Sequence, residues 1–253
     1  MKTEEPTKTF ALDSNPQTLH GIWRVVPSPS LTEILAQGGL DFQILDCEHG
    51  AYDYQTLQAD MTACALHQCQ PFVRVSGRDK VEVQRVLDLG ARGVVFPQLS
   101  SVEEFANAAA MMDHWPKGTR GFNPFVRTYK YGQAGGTAVV DRPWFVPIIE
   151  TLEAVELLDR ILEIERIDMI YVGSYDLSAQ LGCAGKMDTP ELIAVVDRIF
   201  DVAQARGIRV GMMALSTPKG RALMDGGIGA IVHGVESHRI LESISNIVGS
   251  VRD

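Results

Sequence analysis

Eight short apolar runs, each followed by a segment whose apolar residues recur at helical spacing, divide the chain from residue 21 to residue 251. The runs are Gly21–Val26, Phe42–Leu45, Pro71–Val75, Gly93–Phe96, Phe145–Ile149, Met169–Val172, Val210–Ala214 and Ala230–His233. They lack the in/out alternation of a strand with one wet face. An uninterrupted apolar run of this length is what a strand covered on both faces requires, and helix-covered parallel strands are covered that way. Eight such units predict a (β/α)8 TIM barrel. A doubly wound open sheet is the competing arrangement, and it calls for a glycine-rich turn after the first strand. The turn here is Val26-Pro27-Ser28-Pro29-Ser30, without a glycine.

The intervening segments carry helix signals. Ser30 followed by Glu33 reads as a capping box for Ser30–Gln37, Asp79 as cap of Lys80–Leu89, and Ser101 as cap of Val102–Asp113. Thr189 with Pro190 opens a long helix to Arg206. Further helices are expected over Tyr54–His67, Pro218–Met224 and Ser237–Val251. The expected organisation is a tail over residues 1–20 and one barrel over 21–253, with an insertion at 115–142.

Composition narrows the partners. With 45% hydrophobic residues in 253, the chain can bury one large core. A formal net charge of −9 argues against sequence-independent binding to nucleic acid and against docking on anionic membrane. No segment reads as a signal peptide or a membrane span. Cys47, Cys64, Cys69 and Cys183 show no CxxC and no zinc spacing, which suits a reduced, cytoplasmic protein.

In a barrel of this kind chemistry gathers at the carboxyl ends of the strands. Asp46, Glu48 and His49 follow the second run, Arg74 ends the third, Gln98 follows the fourth, Glu150 the fifth and Asp176 the sixth. Each has an ordinary surface explanation when taken alone, but all fall on one rim. Two neighbouring carboxylates repel unless a cation sits between them, and hard oxygen donors suit Mg²⁺ or Mn²⁺. A guanidinium near a developing enolate oxygen adds charge stabilisation, and His49 beside Asp46 reads as an oriented general base. Backbone N–H groups at Gly173, Ser174, Tyr175 and Asp176 suit a substrate carboxylate. The group fits carbon–carbon cleavage next to a carbonyl.

The motifs Asp46-Cys47-Glu48-His49-Gly50, Val73-Arg74-Val75, Gly118-Thr119-Arg120-Gly121, Ile149-Glu150-Thr151 and Val172-Gly173-Ser174-Tyr175-Asp176-Leu177-Ser178 occur in this order. With the stretches 28–36 and 87–94, they resemble the HpcH/HpaI-type aldolases, metal-dependent pyruvate aldolases related to the citrate lyase β-type barrels. The resemblance covers nearly all of the chain from Gly21 to Val248. It implies a barrel of the phosphoenolpyruvate/pyruvate type, with Glu150 and Asp176 as ligands of Mg²⁺, Mn²⁺ or Co²⁺. It implies Arg74 as carbonyl anchor and His49 with Asp46 as acid/base pair. It also implies a homohexamer, or trimer of dimers, with the last helix exchanged between subunits. Three positions depart from the family pattern: Ile148 where glutamine is common, Tyr175 in the turn after strand six, and Cys47 where glycine is common. The ring and the thiol point to altered substrate choice.

The expected activity is reversible cleavage of a 4-hydroxy-2-oxo acid to pyruvate, or a close 2-oxo acid, and an aldehyde. The alternatives are a CoA-ester lyase of the citramalyl or malyl type and a non-catalytic barrel that binds a 2-oxo acid. Trp23 is expected to wall the pocket or fill the core, and Gln98 to touch substrate. The basic segment 115–142 reads either as a cover that brings Arg120 or Arg127 to an anionic substrate, or as a solvated loop or subunit contact.

Overall fold

The computed structural model describes residues 18–133 and 142–252. The tail expected over residues 1–20 falls largely on residues 1–17, outside the described residues, as does the stretch 134–141 of the basic segment. Eight parallel strands close in sequence order: β1 (Leu19–Arg24), β2 (Phe42–Asp46), β3 (Gln70–Arg74), β4 (Gly93–Phe96), β5 (Trp144–Ile149), β6 (Met169–Val172), β7 (Arg209–Met213) and β8 (Ala230–Val235). This is the (β/α)8 barrel the alternation predicts. Strand β1 starts two residues before the expected boundary, because Leu19 pairs with Ala230 in the closing ladder.

The helices are α1 (Pro29–Gln37), α2 (Tyr54–Leu66), α3 (Lys80–Leu89), α4 (Val102–Met112), α5 (Leu152–Glu156), α6 (Leu158–Ile161), α7 (Ser174–Gln180), α8 (Pro190–Ala205), α9 (Thr217–Asp225) and α10 (Glu236–Arg252). Helix α1 is capped by Ser28, whose side chain accepts from the Leu31 N–H, and not by Ser30. Pro29 explains the shift: its fixed φ and missing N–H suit the first helical position. Asp53 and Thr56 form a reciprocal capping box on α2.

Side-chain parity along each strand splits the core in two. Phe42 and Ile44, Phe72, Trp144, Val146 and Ile148, and Met169 and Tyr171 point inward and fill the barrel. Their neighbours Leu45, Val73, Phe145, Ile149 and Ile170 point outward into a larger layer under the helices. Gly21 makes room for the interior, since a Cβ there would lie 2.3 Å from the Phe42 ring.

Parity carries on past the apolar residues. The inward series Phe42, Ile44, Asp46 delivers Asp46 to the mouth; Phe72 delivers Arg74, and Ile148 delivers Glu150. The register sets Asp46 opposite Arg74 on adjacent strands. On the outer face, buried Arg24 bonds Thr32 and Gln43 and lies 3.7 Å from both Asp60 and Glu236. Glu236 in turn accepts the Val25 and Val26 N–H groups, which ties the start of α10 to the end of β1.

Candidate active site

Asp46, at the carboxyl end of β2, is buried and accepts four donors. Arg74 Nε donates to Oδ1 at 2.8 Å, Arg74 Nη2 donates to Oδ2, and the backbone N–H groups of Glu48 and His49 reach Oδ1 at 3.0 and 3.2 Å. Arg74 Nη1 lies 2.9 Å from Glu48, and the guanidinium stands 4.6 Å over the Trp23 ring. Burial works against the Arg74 charge, but its hydrogen bonds to Asp46 and the charges of Asp46, Glu48 and Glu150 outweigh it and hold the group firmly protonated.

Glu150 sits one residue beyond β5 and is buried. Its carboxylate accepts the Gln98 N–H at 2.5 Å; Gln98 adopts a left-handed φ of 56° to present that bond and donates its side-chain amide to Glu48 at 2.8 Å. Burial pushes the Glu150 carboxyl up to about 7. The Gln98 N–H opposes that rise, the charges of Asp176 and Glu48 add to it, and Arg74 opposes it. Gly173 permits the close approach of β6 to this carboxyl, since a Cβ there would lie 2.4 Å from Glu150 Cβ. Asp176, exposed in the first turn of α7, faces the same cavity.

Glu150 and Asp176 thus form an all-oxygen donor pair in which burial and the neighbouring carboxylates oppose ionisation of one member. Among the described residues no group of three or more His, Cys, Asp or Glu side chains is placed so that it could hold a metal ion. The pair fits Mg²⁺ or Mn²⁺, which are held through one or two carboxylates with water or substrate completing the shell.

The cavity measures about 870 Å³. It brings together Trp23, Asp46, His49, Arg74, Glu150, Gly173, Ser174, Tyr175 and Asp176. Gln98 touches the site through its bonds to Glu150 and Glu48. Trp23 both fills the core and walls the cavity, with its indole N–H donating to the Tyr171 hydroxyl at 3.1 Å.

Three expectations change. The His49 ring is not oriented by Asp46, which is occupied by Arg74 and backbone; its ring lies 69% exposed, with Glu48 the carboxylate at 3.9 Å. Arg120 does not face this chain's cavity. It is buried in an ion pair with Asp88 of α3 at 2.8 Å, while Arg127 donates to Leu89 O and Thr128 to Leu87 O. The connectivity explains this: the segment follows a helix and precedes a strand, so it runs along the rim opposite the mouth, and its described part clasps the end of α3. Cys47 packs against the outer layer, where burial, Glu82 and Asp46 push its thiol up to about 12, so it neither lines the cavity nor offers a thiolate.

Two side chains take roles the sequence did not assign: Glu48, already expected on this rim, and Tyr171. Glu48 bridges Arg74 and Gln98. Tyr171 carries the inward parity of β6 to the base of the cavity, where burial keeps its phenol protonated, against the pull of the Trp23 N–H and of Arg74.

Comparison with known proteins matches residues 19–243 to the HpcH/HpaI aldolase/citrate lyase family. A 4-hydroxy-2-oxo-heptane-1,7-dioate aldolase of Salmonella paratyphi C (strain RKS4594) is 29% identical over 220 residues, covering 86% of this chain and 84% of that one. The crystal structure of an HpcH/HpaI aldolase/citrate lyase family protein from Burkholderia cenocepacia J2315 superposes with a TM-score of 0.90 at 26% identity, covering 96% and 97% of the two chains. That of citrate synthase SbnG superposes with a TM-score of 0.85 at 25% identity, covering 94% of each.

Proposed function

Because the chain belongs to the HpcH/HpaI aldolase/citrate lyase family, an aldolase and lyase family, we propose that it reversibly cleaves a 4-hydroxy-2-oxo acid into pyruvate, or a close 2-oxo acid, and an aldehyde. One observation carries this reading: a buried carboxyl raised to about 7 and a second carboxylate share a mouth with a fixed guanidinium and an exposed imidazole. The 4-hydroxy-2-oxo-acid aldolase among its relatives supports the same substrate class.

Glu150 and Asp176 would hold the divalent cation, Mg²⁺ or Mn²⁺ by the hardness of the donors. Bound there, the cation would draw electron density from the keto oxygen of a 2-oxo acid. Arg74, held at the mouth by Asp46 and Glu48, would stand near the same oxygen, where its attraction would grow as negative charge develops. The N–H groups of the first turn of α7, which helix geometry leaves without intrahelical acceptors, bind the substrate carboxylate. His49 takes the proton of the C4 hydroxyl through water. The C3–C4 bond then breaks, its electrons enter the C2–C3 enolate, and the aldehyde departs. Protonation at C3 gives the methyl group of pyruvate. Trp23, Ile148 and Tyr171 form the apolar floor that shields the enolate carbon from bulk water. Four free cysteines and the acidic charge support a reducing, cytoplasmic setting.

The test needs no knowledge of the aldehyde. Pyruvate in D₂O with Mg²⁺ or Mn²⁺ should lose its methyl proton signal in the presence of the protein, and added chelator should stop the loss. Pyruvate that keeps its methyl protons under every metal would refute the proposal.

A homohexamer or trimer of dimers with an exchanged last helix belongs to the same reading. Its support is α10: Ile240, Leu241, Ile244, Ile247 and Val251 are all exposed, with Leu241 at 65%. A stripe of this kind on a lone chain would be a contiguous apolar patch that soluble monomers rarely carry. Light scattering should give about six chains per particle, and Leu241→Glu with Ile244→Glu should lower that number. A monomeric mass for the unaltered protein would overturn the assembly.

A further inference from the structure

The cavity is larger than its polar end requires. Arg74, Glu150 and Asp176 line it from β3, the end of β5 and the start of α7; beside them an apolar arm is walled by Met187, Leu192, Ile193, Val196, Met212 and Leu215, from α8, β7 and the turns next to them. Its total of about 870 Å³ is on the scale of pockets that hold whole drug-sized ligands, roughly 300–1,000 Å³, far beyond pyruvate alone. Both sets of residues line one cavity, so a substituent on the reacting carbons can enter the arm.

Its lining decides what that is. Aliphatic and thioether side chains cover the wall, and methionines adapt their shape to varied apolar partners. Polar and ionisable groups also line it: Lys219 and His238, with Asp188 and Asp197. Lys219 is exposed on α9 and has no guanidinium fork to clamp a second carboxylate. Burying a distal carboxylate among these walls would leave it poorly paired beside two acidic residues, a costly arrangement.

We infer that this arm is the subsite for the aldehyde half of the substrate, and that it takes an aldehyde with an apolar aliphatic or aromatic body in preference to one ending in a carboxylate. The inference rests on the aldolase reading above and narrows its substrate class. No new step is required: the aldehyde carbon forms or breaks its bond to C3 at the polar end, while its substituent lies in the arm.

The test uses the full-length protein with Mn²⁺ and pyruvate, and measures aldol formation with propanal, hexanal and succinic semialdehyde. Each buried methylene is worth roughly a factor of four, so three should raise kcat/KM for hexanal at least about tenfold over propanal, with the semialdehyde below hexanal. Ile193→Glu and Met187→Glu change positions in the arm that are 46% and 37% exposed; each should bring the hexanal-to-propanal ratio down toward one. Equal rates for the two alkanals, or a preference for the semialdehyde, would overturn the inference. So would variants that lower every aldehyde equally while the particle mass falls, because the arm would then be a seat for a second copy of the chain. Deuterium exchange into pyruvate by the unaltered protein separates the two levels: exchange without chain-length dependence removes only the subsite, and no exchange removes both.

Discussion

Glu150→Gln is expected to lower metal-dependent exchange of pyruvate methyl protons by on the order of 10³-fold and, in the same protein, to raise stability when metal is absent. The second effect follows from the first residue's burial. A glutamate ordinarily ionises near 4.5; in this fold Glu150 ionises near 7 because burial, then the charges of Asp176 and Glu48, oppose its negative form. The folded chain therefore binds the proton more tightly than the unfolded chain. The stability contributed by this group is intact below about 4.5, falls as pH rises toward 7, and is flat above, where the cost is about 3 kcal/mol. Glutamine keeps a carbonyl oxygen for the Gln98 N–H and carries no charge. Metal-free Glu150→Gln at pH 8 should melt higher than the unaltered protein, by roughly 6–12 °C if the full cost is relieved. At pH 5 the two should nearly coincide. Mg²⁺ or Mn²⁺ should raise the melting point of the unaltered protein at pH 8 and leave the variant where it was. Melting curves at both pH values with and without chelator decide it: a variant less stable than its parent at pH 8, or one that still exchanges pyruvate, would show that Glu150 is not a strained metal ligand.

The parts of this site that were legible in the sequence are those set by strand parity. Asp46, Arg74 and Glu150 end apolar runs whose inward residues are two positions apart, so finding the runs was enough to find the rim. The ladder that places Asp46 opposite Arg74 follows from the same bounds. What parity does not govern was less legible. In the turn after β2, Asp46, Glu48 and His49 are close in sequence, and only the turn's backbone decides that Asp46 accepts the His49 N–H while Glu48 lies near its ring. The role of Gln98 depends on a left-handed φ that glutamine seldom adopts. Arg120 is the contrary case. Connectivity already excludes it from the mouth, since helix-to-strand segments run along the other rim; a basic, aromatic composition suggests substrate capture only when that rule is set aside. The apolar arm is assembled from α8, β7 and the turns next to them, where no local pattern marks a cavity wall.

Arg74 should prove the most damaging position to shorten. Arg74→Ala removes the one partner that, among the described residues, bonds both Asp46 oxygens, and it leaves Asp46 and Glu48, both buried at their side chains, facing Glu150 without the guanidinium. Breaking a buried pair from one side costs about 3–5 kcal/mol, so the variant should melt well below its parent. It should also lose exchange activity, by on the order of 10²–10³-fold, because the charge that meets the enolate oxygen is gone. These two losses have different causes and can be pulled apart. Arg74→Lys keeps a positive charge but not the fork that grips both oxygens of Asp46; it should recover most of the stability and little of the rate. Combining Arg74→Met with Asp46→Asn removes both charges of the pair, keeps the stem's packing over Trp23, and should restore folding without restoring activity. Unfolding midpoints and exchange rates for the three proteins measure the separation. If the uncharged pair were as active as the parent, the guanidinium would be a structural strut of the rim, and the negative charge developing on the substrate would need another partner in the mouth.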